Sequence, residues 1–269
     1  MDKLVRELMH PGMVTCRPKT TLGQVAVMLT EHHMHGLIVT DRDGRALGVI
    51  TDFDLLAGEW LSADPESLNV MRKMTAGDLM SSPVDTIDIN APASEAARIM
   101  REKVIRRLVV TDKDKPAGVI SVSDVIAGLA KSAEARRDTV ADVMSDAILV
   151  CRDQTPLVSV ADAMTSTGWR SVLVVNAHGT PLGVVSGLDI LALCENSDCK
   201  DVIVSQVMHP ALTISMSASL REAATKMIEN HHHRLVVVDP DEPEAMPLGI
   251  ISSFDIVAEM ARPGSVWQK

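Results

Sequence analysis

Four times along this chain a Ser or Thr stands three residues before an Asp, directly after a Gly-apolar-apolar run. The pairs are Thr51 with Asp54, Ser121 with Asp124, Ser186 with Asp189 and Ser252 with Asp255. A hydroxyl and an acid at this spacing make a capping box, in which the two side chains satisfy backbone N–H groups at a helix start. Basic side chains stand just ahead of β-branched runs: His35, Arg106 with Arg107, Arg170, and His233 with Arg234. Such residues form a solvated rim or, through the Arg fork and the His donor, contact an anion. Two histidine clusters, at 32, 33 and 35 and at 231–233, invite a metal reading. Adjacent side chains of a strand point to opposite faces, and no carboxylate or Cys sits at ligand spacing, so no metal site is expected. No glycine-rich phosphate loop or nucleophile elbow is present, and no enzyme activity is expected.

These residues recur in register. The final Asp of each motif returns after 70, 65 and 66 residues, and each copy opens with a Met: Met9, Met80, Met144 and Met208. A fixed period with several features in phase is the signature of an internal repeat. Within one repeat the pattern reads as a short helix, a short β segment and a helix. A strand, a turn, a second strand and a last helix follow, giving αβαββα. In the first repeat the middle helix starts after Thr20-Thr21 and runs to about Thr30, and the strands are Leu37–Thr40 and Leu47–Ile50. The corresponding first strands are Leu108–Thr111, Val172–Val175 and Leu235–Val238. The predicted fold class is α/β (α+β), with repeats at about 4–60, 76–130, 139–194 and 202–260.

One such repeat is too small to bury its sheet and both helix faces, so the repeats are expected to pair, one with two and three with four. The charged stretch Lys131–Asp138 marks the boundary, giving modules over 1–133 and 134–262 and a tail over 263–269. The junction Gly58–Lys73, with Trp60, is expected to hold a helical extension.

Composition narrows the function. The chain has 269 residues, 46% of them hydrophobic, but only 2% aromatic and no Tyr, so the core must be Val, Ile, Leu, Ala and Met. A net charge of −10 argues against non-specific binding to nucleic acid or an anionic membrane. No apolar run reaches the roughly 20 residues of a membrane span. The first ten residues lack the apolar core of a signal peptide, and a cytoplasmic location is expected. The four Cys, at 16, 151, 194 and 199, show no CxxC spacing and are expected to be reduced thiols.

The four Gly-apolar-apolar-[S/T]-x-x-Asp endings, their β-rich runs and the His233–Asp255 stretch resemble the CBS domain family, over roughly residues 4–262. The chain looks like the four-repeat CBS proteins of prokaryotes and the gamma subunit of AMP-activated protein kinase. The resemblance implies two Bateman modules, a regulatory protein and an adenine nucleotide (AMP, ADP or ATP) as ligand. S-adenosylmethionine, or an assembly module with vestigial clefts, are the alternatives. It implies that Asp54, Asp124, Asp189 and Asp255 accept the ribose hydroxyls, beside Thr51, Ser121, Ser186 and Ser252. It places phosphate contacts at His35, Arg106, Arg107, Arg170, His233 and Arg234; Gly36 and Ser171 depart from the pattern in repeats one and three. Adenine would lie near Val14, Asp85, Leu149 and Leu212, flanked by Met34, Ile105, Trp169 and His232. On this reading Asp54 and Asp189 serve the stronger sites. A protein partner or a homodimer is expected, and neither nucleic acid nor membrane.

Overall fold

The computed structural model describes residues 3–57, 65–113, 115–130, 138–194, 199, 201–242 and 245–263. Much of the junction 58–73, the charged stretch 131–137 and the tail 264–269 lie outside them, except for a helix over Pro65–Lys73.

Each repeat builds one small sheet. A short first strand runs parallel to a central strand, which pairs antiparallel with a third. The central strands are Gly36–Thr40, Arg107–Asp112, Ser171–Val175 and Arg234–Val238, each starting one residue before its predicted strand. They are Val- and Leu-rich because both faces are covered, which suits β-branched chains. The helix ahead of each central strand buries a stripe spaced for one face. In Leu22–Glu31 it is Leu22, Val25, Ala26 and Leu29, and Thr21 with Gln24 caps the start. The helix after each third strand begins at the Ser/Thr-x-x-Asp box.

The chain divides into two compact units: Met1–Met13 with Asp85–Ile148 and Leu212–Lys269, and Val14–Val84 with Leu149–Ala211. The first unit therefore joins repeats two and four, and the second joins repeats one and three. The division at 133/134 expected from charge concerns which pieces fold alone, and it stands as a proposal.

In the second unit, helices Leu22–Glu31 and Asp52–Ala57 pack on Gly187–Cys194, and Asp52–Ala57 also on Leu157–Thr167. Leu22, Leu29, Leu55, Leu157, Met164 and Leu191 meet in one dry core. In the first unit, Ala93–Lys103 and Val122–Ala130 pack on Leu220–Glu229 and Ser253–Met260 in the same manner, around Met100, Ile126, Met227 and Ile256. Small Ala residues on these helices, such as Ala96, Ala97, Ala223 and Ala224, let the backbones approach closely.

The segments that open the repeats do not stay with them. Residues His10–Pro11, ahead of repeat one, form an edge strand on Lys115–Ser121 of repeat two. His209–Pro210, ahead of repeat four, does the same on Pro181–Ser186 of repeat three. Ser81 bridges to Val49, and Ser145 to Ile250. Each repeat thus receives its neighbour's opening arm, and the arm crosses at the Gly of the motif. A Cβ on Gly118 would run into the carbonyl oxygen of His10. On Gly48, Gly183 and Gly249 it would lie 2.7, 2.6 and 2.5 Å from the carbonyl oxygens of Ser81, His209 and Ser145. The glycine is there to admit another backbone.

Candidate functional site: four carboxylates and their basic neighbours

The four Ser/Thr-x-x-Asp motifs are capping boxes. In each, the hydroxyl residue donates both its N–H and its O–H to Asp Oδ2, at 2.7 Å. The carboxylates are thereby fixed through one oxygen, and Oδ1 is left for other donors. At Asp124, Oδ1 accepts from His10 Nε2 at 2.9 Å. At Asp189, it accepts from His209 Nε2 at 2.9 Å. Among the described residues, Asp54 and Asp255 have no donor on that oxygen.

Strand register brings the basic residues to the same end of each hairpin. Arg107 sits opposite Ser121, and Arg234 opposite Ser252. In repeats one and three Gly36 faces Thr51 and Ser171 faces Ser186, so the cation there is carried one residue earlier, on His35 and Arg170.

Those earlier residues are engaged within their units. In the second unit His35 Nδ1 donates to Asp52 Oδ2 at 2.8 Å, and the Arg170 guanidinium lies 4.9 Å from the centre of the Phe53 ring. Asp52 is 5% exposed. Burial opposes its ionisation, but the hydrogen bond and charge of His35, the Arg170 charge and the Phe53 N–H outweigh burial. The carboxyl is held below the usual carboxylate range. Gly187 leaves room for it, since a Cβ there would come within 3.3 Å of Asp52 Oδ2. In the first unit Arg106 lies 5.3 Å from the Phe254 ring centre, and His233 Nδ1 is 3.3 Å from Ser123 Oγ. Ser253 occupies the place that Asp52 holds in repeat one.

The residues expected to frame adenine fall at equivalent places. The carbonyls of Val14, Asp85, Leu149 and Leu212 accept from the central-strand N–H groups of Ile38, Val109, Leu173 and Val236. Met34, Ile105 and His232 are half-buried, and their N–H groups turn back to helix carbonyls of Leu29, Met100 and Met227. Trp169 is also half-buried. Each of the four follows a residue of positive φ: His33, Val104, Gly168 and His231. The Asp85 side chain is paired with Lys103.

Four side chains that matter here escaped the reading of the sequence: His10, His209, Asp52 and Phe53. The signal for the first two was present, because Met-His-Pro opens repeats one and four but not repeats two and three.

The thiols need one correction. Cys199 is disulfide-bonded rather than a free thiol; it is buried in the second unit's core, where a sulfur is shielded from solvent reductant. Cys16 and Cys151 are free, and burial pushes both thiols up to about 11. Among the described residues no three His, Cys, Asp or Glu are grouped to hold a metal ion, and no helix is long and apolar enough to cross a membrane.

The chain matches the CBS domain family over residues 5–59, 76–131, 140–196 and 204–262. The uncharacterized protein MJ1404 of Methanocaldococcus jannaschii is 30% identical over 201 residues, 73% of this chain and 46% of that protein. The uncharacterized protein MK0525 of Methanopyrus kandleri is 28% identical over 123 residues, 45% of this chain and 60% of that protein. The chain thus spans about half the length of these two relatives. Among solved structures, MJ1225 of M. jannaschii, described as a proposed archaeal homologue of γ-AMPK, superposes with a TM-score of 0.82. The two are 22% identical, and the match covers 95% of this chain and 99% of that one, so they share a fold.

Proposed function

This chain belongs to the CBS domain family, and we propose that it is a regulatory protein that binds an adenine nucleotide and not an enzyme. The observation that carries this reading is the geometry of the four carboxylates. Each is locked by its capping box through Oδ2 and keeps Oδ1 for a donor from elsewhere, and in two repeats a histidine takes that position. An oxygen so held suits the hydroxyls of a ribose. The basic residues opposite the capping hydroxyls, Arg107 and Arg234, lie at the same hairpin end and suit the phosphates. Arg106 and His233 stand one residue ahead of them, and in repeats one and three His35 and Arg170 hold that earlier position ahead of Gly36 and Ser171. A ligand that prefers one arrangement of the repeats shifts the population toward it, and a protein partner or a second copy of the chain reads the change.

Asp255→Ala and Arg234→Ala test this within one repeat. A hydrogen bond to a charged group is worth about 1.5–3 kcal/mol, so each change weakens binding about 10- to 150-fold. Asp255→Ala weakens adenosine, AMP and ATP alike, because ribose is common to them. Arg234→Ala spares adenosine and weakens the phosphorylated ligands, more so at low salt. Isothermal titration reads both, with S-adenosylmethionine alongside. Unchanged affinities in both variants, with wild type binding well, place the ligand elsewhere. Binding of S-adenosylmethionine alone replaces the nucleotide with another adenosyl ligand.

A further inference from the structure

The four carboxylates are equivalent in sequence and in their capping boxes, yet they are not equivalent in the folded chain. Asp124 and Asp189 each accept a 2.9 Å hydrogen bond from an imidazole on a crossing arm, His10 and His209. Among the described residues, Asp54 and Asp255 have only their capping partners. The difference follows from the arms. His10–Pro11 and His209–Pro210 are paired as edge strands, which hold the histidine over the motif. The other two arms make isolated bridges and carry Ser81 and Ser145 where a histidine would be. An oxygen that already accepts from an imidazole must give up that bond to take a ligand hydroxyl. We propose that His10 and His209 are occupancy-determining residues. They close the diol position at Asp124 and Asp189, so that ribose ligands bind first at Asp54 and Asp255. The inference rests on the ribose reading of the carboxylates, and it moves Asp189 from the stronger class of sites to the weaker.

The consequence is stoichiometric. The chain has two tight positions, one in each half of the sequence and one in each compact unit, and two that open only when an imidazole swings away. The His side chains are exposed, 80% for His10 and 59% for His209, so a rotation of either uncovers no core.

The test is equilibrium binding of adenosine, which carries the diol and no phosphate, to the full chain and to a His10→Ala/His209→Ala double variant. The expected result is two tight sites in the wild type and two further sites in the variant, tightened about tenfold, the worth of one hydrogen bond to a charged group. Asp54→Asn and Asp255→Asn remove the tight sites from the wild type, whereas Asp124→Asn and Asp189→Asn leave them. Should an arm variant unfold, as circular dichroism would show, this wild-type Asn series decides alone. Unchanged number and affinity of sites in the folded double variant, with wild type binding, overturns the inference and leaves the ribose reading intact. Loss of the tight sites in Asp124→Asn or Asp189→Asn also overturns it. Failure of wild type and double variant alike to bind adenosine overturns both.

Discussion

Repeat one with three, and repeat two with four, build clusters of the same design that differ in one charge. In the second unit the cluster is Asp52, His35, Arg170 and Phe53, with Gly187 making room. In the first unit it is Ser253, His233, Arg106, Phe254 and Ser123. Both stack an arginine on the Phe of the facing repeat. Only the second buries a carboxylate between cations. Ser253 Oγ, fully buried at the matching place, has no hydrogen-bond partner among the described residues. A buried carboxylate is tolerated when its oxygens are satisfied, and both oxygens of Asp52 are, by His35 and the Phe53 N–H. A buried hydroxyl without a partner is a smaller cost, carried by the packing around it. The two units thus reach the same helix packing by different electrostatic routes.

If that equivalence of packing holds, truncating the dry cores should hurt both units equally, and this is the largest effect. Leu29→Ala in the second unit and Met100→Ala in the first should each cost about 2–5 kcal/mol in urea unfolding. A difference of more than about 2 kcal/mol between them would mean that one unit dominates stability.

The charge should separate the units next. Asp52→Ala strips His35 of its acceptor and Arg170 of a nearby countercharge and should cost about 1–3 kcal/mol at neutral pH. Because the folded carboxyl is held low, its contribution is present above the unfolded value of about 4 and is lost as pH falls through the folded value. The gap between wild type and Asp52→Ala should therefore close in acid. Ser253→Ala should stabilise by about 0.5–1 kcal/mol at every pH, by removing an unsatisfied hydroxyl. Destabilisation by Ser253→Ala would show that the hydroxyl has a partner and that the comparison is misdrawn.

The aromatic contacts come last. A cation–π pair is worth about 0.5–1 kcal/mol at partly exposed sites. Phe254→Leu should fall near the upper end and Phe53→Leu near the lower, because Arg170 is also drawn to Asp52. Equal losses in thermal unfolding would say that Asp52 contributes nothing to placing Arg170.

Repeat number, strand order and capping boxes were legible in the sequence because each is local. Leu37–Thr40 reads as a strand from its own residues, and Thr51 with Asp54 fixes a helix start within four positions. The arms were not legible in this way. That His10 meets Asp124, across 114 positions, depends on the path of the chain and not on either neighbourhood. The glycines of the motif recorded that path, yet a glycine within a strand also reads as an ordinary bulge. The grouping of repeats into units was hidden for a related reason. The helix stripes announce that a face is apolar, but they are nearly identical in all four repeats and do not say which stripe meets which. Asp52 was masked by its neighbour: in a stretch reading Thr-Asp-Phe-Asp, the repeat drew attention to the second acid and left the first as filler.

The exchanged arms bear on how such a chain can change over generations. The coding segment for each repeat begins with an arm that its neighbour uses, and it lacks the arm that it needs itself. A single repeat that is duplicated, deleted or moved leaves one groove empty and one arm without a groove. The smallest piece of this chain that keeps every arm with its groove is therefore a pair of consecutive repeats.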